Sequence, residues 1–245
     1  MKKRIDLILL EKKIAITRSK AQAMIMDGKI FINNIKVLKN SEMYNSDVEV
    51  ISKNLHPDWV SRGAIKLLHA LDYFNIDVTD LKCLDLGAST GGFTEVLLSK
   101  NASKIYSVDV GTNQLHEKLK NNAKIINIPN TNARYLSKQI FPDFLDVIVC
   151  DVSFISMKKV IEPSLIFLEK KFGIIIGLIK PQFESEKKEI KRGVIRDPNI
   201  HERICNDYRD WFSKVCNMRV LGVTPSPIKG PSGNIEFLIC AKRGL

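Results

Sequence analysis

The sequence of 245 residues offers little that suits an oxidising or membrane setting. Its five cysteines, Cys83, Cys150, Cys205, Cys216 and Cys240, are scattered and form no CxxC pair. That spacing supports neither a zinc site nor a secreted disulfide framework, and an odd count would leave one thiol unpaired outside the cell. Long apolar runs are missing as well. The longest, Phe172 to Ile179, falls far short of the ~20 residues that span a bilayer. The first residues, MKKRIDLILLEKK, have the basic flank of a secretory leader. However, Asp6 interrupts their apolar stretch and Glu11-Lys12-Lys13 closes it early. No internal repeat or low-complexity tract appears. The expectation is a soluble cytoplasmic protein without stable membrane association.

Acidic residues are also in short supply, 27 against 38 lysines and arginines, for a formal charge of +11. Such a balance favours a polyanionic partner, and charge alone fits both nucleic acid and an anionic membrane surface. A hydrophobic content of 44% supports a substantial core, and the length suits one large domain plus a small one.

The charge is concentrated. Residues 1–40 hold ten basic side chains against Asp6, Glu11 and Asp27, for a net +7. A positive face of this kind is the footprint of a phosphate-backbone reader, or of a merely solvated surface. Leu7, Leu10 and Ile14 recur at helical spacing, as do Ala21, Met24 and Ile25. Thr17 or Ser19 is placed to cap the second helix and Gly28 to end it. Ile30, Ile32, Ile35 and Val37 then read as two short strands around a turn at Asn33-Asn34. The stretch RIDLILLEKKIAITRSKAQAMIMDGKIFINNIKVLKNS resembles the S4 RNA-binding domain. One departure is Asn34, where that family usually has glycine; asparagine tolerates the same left-handed backbone. The resemblance implies an RNA-binding domain over 1–53, with Arg4, Arg18, Lys20 and Lys29 as RNA-contacting residues. An interdomain linker is expected at 54–62, with His56-Pro57-Asp58 as its breaker.

From about residue 81 the pattern changes. Short β-branched runs, Leu81–Leu86, Lys104–Val110, Lys124–Ile128, Leu145–Cys150 and Phe172–Ile179, alternate with helical segments. This is the signature of an α/β, doubly wound parallel sheet. Arg219–Val223 and Ile235–Ala241 are expected as two further strands, able to pair antiparallel across a Pro/Gly-rich loop.

The first of these strands ends in CLDLGASTGGFTEVLL, where Asp85, Gly87, Gly91 and Gly92 mark a strand-to-helix turn. Glycines let the backbone approach a ligand, and the helix start offers unpaired N–H groups. Asp109, 22 residues after Gly87, is placed to accept from ribose hydroxyls. These features indicate a nucleoside cofactor without separating a nicotinamide dinucleotide from S-adenosylmethionine.

Four further polar residues sit at informative places. Lys66 lies in WVSRGAIKLLHAL, where Ile65, Leu68 and Leu71 suggest an amphipathic helix. Asp151 closes the fourth strand, Lys180 closes the fifth, and Glu236 opens the last. Ligands of open α/β sheets gather beyond the carboxyl ends of the strands, so Asp151 and Lys180 are expected to meet beside the glycine loop. Each also has an ordinary reading as a surface charge or a strand-end cap.

DLGASTGGFT resembles motif I of the S-adenosylmethionine methyltransferases, particularly those acting on RNA ribose. Together with SRGAIKL, TNARYL, CDVSFIS, LIKPQFE, KRGVIRD and PSGNIEF, it makes the chain from Arg4 to Glu236 resemble the TlyA family, also called haemolysin A. Ala64 departs from the family, which commonly has glycine there. The resemblance implies a Rossmann-like, FtsJ-like methyltransferase domain over 63–245 and S-adenosylmethionine as cofactor. It implies cofactor contacts from Asp85, Gly87, Ser89, Thr90, Gly91, Gly92, Phe93 and Asp109. Asn132 could contact the adenine or cap the next helix. It also implies ribosomal RNA or ribosomal subunits as partner, modified at ribose 2'-oxygens of cytidine.

Lys66, Asp151, Lys180 and Glu236 fit the family's K-D-K-E catalytic set, which uses no metal. A ribose 2'-hydroxyl must lose a proton as it attacks the methyl group, and a desolvated lysine beside another cation can take it. The resemblance gives that role to Lys180, with Asp151 orienting it and Lys66 and Glu236 positioning the ribose. Competing expectations are a membrane-active haemolysin, for which the sequence offers no spanning segment, and an RNA-binding module without activity.

Overall fold

The computed structural model describes residues 2–26, 28–52, 59–141, 144–190, 193–230 and 232–244. The chain divides into two compact units, Met1–Trp59 and Val60–Leu245. The expected linker at 54–62 falls largely on 53–58, which lie outside the described residues together with His56-Pro57-Asp58.

In the first unit, β1 (Lys2–Arg4) leads into α1 (Ile5–Glu11), followed by α2 (Arg18–Met26). Strands β2 (Ile30–Ile32), β3 (Ile35–Lys36), β4 (Met43–Asn45) and β5 (Ile51–Ser52) complete it. The buried face of α1 is Ile5, Ile8 and Leu9, so the expected Leu7–Leu10–Ile14 stripe is displaced and Leu7 is exposed. The helix ends at Glu11, and Ile14 therefore packs on this core from outside it. Thr17 Oγ1 accepts from the Lys20 amide at 3.1 Å, which makes Thr17 the cap of α2. Ala21 and Ile25 are the buried residues of α2, and Met24 is partly buried against them. Asn33 and Asn34 both adopt positive φ, 50° and 62°, as a two-residue turn between antiparallel β2 and β3 requires.

The second unit is α/β and doubly wound. It comprises α3 (Gly63–Tyr73), β6 (Lys82–Leu86), α4 (Gly92–Ser99), β7 (Lys104–Val108), α5 (Glu117–Lys120), β8 (Ile125–Ile128) and β9 (Val147–Cys150). After these come α6 (Lys158–Ser164), β10 (Ile174–Ile179), α7 (Pro181–Glu184), α8 (Pro198–Asp210), β11 (Arg219–Pro225) and β12 (Phe237–Lys242). The seven strands run in the order β11-β12-β10-β9-β6-β7-β8. The five from β10 to β8 are parallel, while β12 is antiparallel to both β10 and β11, as the sequence allowed.

Central strands β9 and β10 are buried at every position, as the apolar runs of a sheet covered on both faces demand. One face packs Leu84, Leu86, Ile148, Ile175 and Ile239 against Ile161, Tyr208 and Phe212. Each such side chain removed from water contributes about 1.5–3 kcal/mol. The sequence stripe assigned to α3 also shifts: its buried residues are Ala64, Lys66, Leu67, Ala70 and Leu71. Lys66 thus lies on the buried side of the helix. No described helix is long and apolar enough to cross a membrane.

Gly91, at the start of α4, has φ of 96°, and a Cβ there would meet Leu119 Cδ1 at 2.4 Å. Gly91→Ala is therefore expected to destabilise the domain by roughly 1–3 kcal/mol, from left-handed backbone strain and overpacking together. Urea denaturation measures this; an unchanged midpoint would contradict the packing described for the turn.

Candidate active site

The parallel strands end together, and their register brings the polar residues to one edge. Leu86 is aligned with Val108 on one side and Cys150 on the other, so Gly87, Asp109 and Asp151 emerge as neighbours. Gly177 pairs with Cys150, and Ile179 pairs with Phe237 in the antiparallel ladder. The ladder ends at that pair, with Lys180 the next residue after β10 and Glu236 the residue just before β12. The residue just before β12 is thereby delivered to the same edge as the one just after β10.

Lys180 Nζ lies 2.6 Å from Asp151 Oδ1 and donates to Ser153 Oγ at 2.8 Å. Lys66 Nζ donates to Glu236 Oε2 at 2.6 Å, with both side chains more than nine-tenths buried. The other oxygen of Glu236, Oε1, is buried without a hydrogen-bond partner among the described residues. Gly230 makes room for it, since a Cβ at that position would stand 2.4 Å away. Helix α3 connects the two pairs: a Cβ on Gly63, one turn before Lys66, would lie 3.7 Å from Asp151 Oδ2. In a buried ion pair, desolvation opposes attraction, and losing one partner leaves a bare charge at a cost of about 3–5 kcal/mol.

Beside Asp151 is a cavity of about 420 Å³, lined in part by Gly87, Ser89, Asp109, Asn132 and Asp151. Gly87 has φ of 82°, and a Cβ there would come within 2.8 Å of the Asp151 carbonyl. Asp109 accepts from the Ser89 amide at 2.8 Å and from the Gly111 amide at 2.7 Å. A carboxylate has about four acceptor sites, so capacity remains for a pair of hydroxyls. Asn132 caps the 3-10 turn Ala133–Tyr135, its Oδ1 accepting from the Arg134 amide at 3.1 Å, and also lines the cavity.

The remaining motif residues stand behind this wall. Thr90, Gly91, Gly92 and Phe93 form the turn and the first residues of α4 rather than the cavity lining. Asp85 is wholly buried, accepting from Thr94 Oγ1 at 2.7 Å, while its Oδ1 has no partner among the described residues. Burial pushes its carboxyl up to about 7, against the Thr94 hydrogen bond and reinforced by the charge of Asp151.

Several residues of the site were not singled out in the sequence. Ser153 holds Lys180. Phe154 next to it is 91% exposed, has φ of 66°, and rests against the Phe183 ring. Asn234 is buried, accepts from the Ile195 amide and donates to the Gly193 carbonyl, tying the loop that carries Glu236 to residues 193–195. The signal was present, since CDVSFIS and PSGNIEF contain these residues, but a serine or asparagine has no chemical signature until its partner is located. In the first unit, Arg4 and Arg18 both bond to Asp6, Lys20 is exposed and Lys29 is partly buried. Among the described residues no group of three His, Cys, Asp or Glu side chains is placed to hold a metal ion.

The FtsJ-like methyltransferase family matches residues 59–243, and the S4 domain matches residues 3–50. Hemolysin A of Brachyspira hyodysenteriae is 42% identical over 91% of this chain and 92% of its own length. The 16S/23S rRNA (cytidine-2'-O)-methyltransferase TlyA of Mycobacterium tuberculosis is 36% identical over 96% of this chain and 88% of its own. A solved structure from Streptococcus thermophilus, 34% identical, covers 99% of this chain and 89% of its own with a TM-score of 0.76. The chain belongs to the FtsJ-like methyltransferase family and, with its S4 domain, to the group that includes TlyA and hemolysin A.

The buried Asp85 carries a pH dependence whose sign is fixed. Its folded value of about 7 stands above the ~3.9 of an unfolded aspartate, so the folded state holds an extra proton between them. Its contribution to stability is complete below about 4, declines as pH rises and is gone above about 7. Relative to the parent, Asp85→Asn is expected to gain stability as pH increases across that window, measured by urea denaturation. A difference that stays flat with pH would contradict this.

Proposed function

We propose that this chain transfers a methyl group from S-adenosylmethionine to a ribose 2'-hydroxyl of ribosomal RNA, at cytidine, in the cytoplasm. The observation that carries the reading is the pair of lysine–carboxylate contacts, one buried and one partly buried, beside a glycine-walled cavity. Family membership and the relatives' stated activities support it.

The cavity suits a nucleoside cofactor. Asp109 would accept from its ribose hydroxyls, Gly87 and Ser89 would let it approach the backbone, and Asn132 would flank its base. When bound there, S-adenosylmethionine supplies an electrophilic methyl group on a sulfonium sulfur.

The protein's own side chains do the rest. Lys180 takes the proton of the 2'-hydroxyl, and Asp151 holds the ammonium that results. The ion pair is thus matched to the charge that proton transfer creates, which is where stabilisation lowers a barrier. Ser153 fixes Nζ against rotation. Lys66, clamped by Glu236, supplies N–H donors to the ribose. Holding the hydroxyl in one orientation removes much of the entropic cost of the encounter.

Incubation with ribosomal subunits and methyl-labelled cofactor is expected to label the RNA. Lys180→Ala should lower the initial rate at least about 10²-fold, the scale of a lost general base. Absence of label in RNA, or a Lys180→Ala rate near that of the parent, would contradict the proposal.

A further inference from the structure

The first unit is rich in lysine and arginine, yet its first helix buries a carboxylate completely. Asp6 has no exposed surface. Its Oδ1 accepts from Arg4 Nε at 3.0 Å. Its Oδ2 accepts from Arg4 Nη2 at 2.9 Å, Arg18 Nε at 3.1 Å and Gln22 Nε2 at 3.2 Å. The Arg4 fork, ahead of the other partners, holds the Asp6 carboxyl well below the usual range. One side chain on α1 therefore ties the end of β1 to a single face of α2, where Arg18 and Gln22 are one turn apart.

The arginines are not buried with it. Their side chains are 36% and 53% exposed. Arg4 uses Nε and Nη2 on Asp6 and Arg18 uses Nε, which leaves Arg4 Nη1 and both terminal nitrogens of Arg18 outside these bonds. Two planar forks are thus held by their inner edges with their outer donors unspent on the carboxylate. Planar forks of this kind match phosphate oxygens two at a time.

We propose that Asp6 is a positioning residue that sets Arg4 and Arg18 as one two-fork clamp for a backbone phosphate of RNA. This rests on the reading that the chain acts on RNA. Two physical accounts of Asp6 predict opposite signs. If it only neutralises positive charge, removing its charge strengthens binding to a polyanion. If it orders the forks, removing its charge frees two long side chains, and binding weakens although the unit becomes more positive.

The test uses the full chain and purified ribosomal RNA, with filter-binding titrations across a salt series and thermal melting alongside. Asp6→Asn is expected to bind at least tenfold more weakly. Its dependence of log affinity on log salt should be shallower by about one phosphate contact, a slope change of roughly 0.7–0.9. In methyl transfer it should raise KM for RNA and leave kcat at saturating RNA unchanged, a split that general loss of fold would not produce. Equal or tighter binding with an unchanged salt slope overturns the proposal. Should Asp6→Asn melt below the assay temperature, Arg18→Lys decides, because it keeps the charge and the Arg4–Asp6 contact. Binding several-fold weaker supports the clamp, and unchanged binding overturns it. Failure of the unsubstituted chain to bind RNA would overturn the RNA reading as well, and is recognised because no variant is involved.

Discussion

The site depends on one constraint: two lysine side chains must be kept beside carboxylates at one edge of a sheet whose central strands are apolar and buried. Of the two pairs, parallel strands alone would bring only Asp151 and Lys180 there, since each residue directly follows its strand. The second pair needs a strand running the other way. Because β12 is antiparallel to β10, it begins where the parallel strands finish, and Glu236, just before it, comes to the edge that carries Lys180. Lys66 reaches the same edge from α3, across the buried side of the helix. Fold and chemistry are therefore joined through strand direction, and the antiparallel strand is part of the site.

The glycine loop answers a different demand. Beside the ion pairs the chain needs open space walled by backbone, and Gly87 provides it where a side chain would strike the Asp151 carbonyl. Asp109 borders that space with a carboxylate already oriented by two amides. Asp85 lies behind the loop, bonded to Thr94, so its part is to fasten the loop to α4 from within. These two aspartates look alike in sequence, and burial is what separates their work.

Much of this was legible beforehand, for identifiable reasons. Strand and helix order follows from apolar periodicity, and the Asn33-Asn34 turn from the tolerance of asparagine for left-handed backbone. The glycine motif marked the turn that walls the cavity beside Asp151. The errors were of phase: α1 and α3 bury stripes offset from those expected, because Asp6 and Lys66, polar in sequence, are buried with partners. The pairing of Lys66 with Glu236, 170 positions apart, lay beyond any local pattern. Ser153 and Asn234 were invisible for a related reason: their roles consist entirely of the groups they hold.

The proposed function requires this edge to activate a ribose hydroxyl and not a base nitrogen or carbon. The direct measurement is complete digestion of ribosomal RNA after reaction with labelled methyl donor, followed by mass spectrometry of the nucleosides. Label is expected in 2'-O-methylcytidine. Label on a base, with none on ribose, would contradict it.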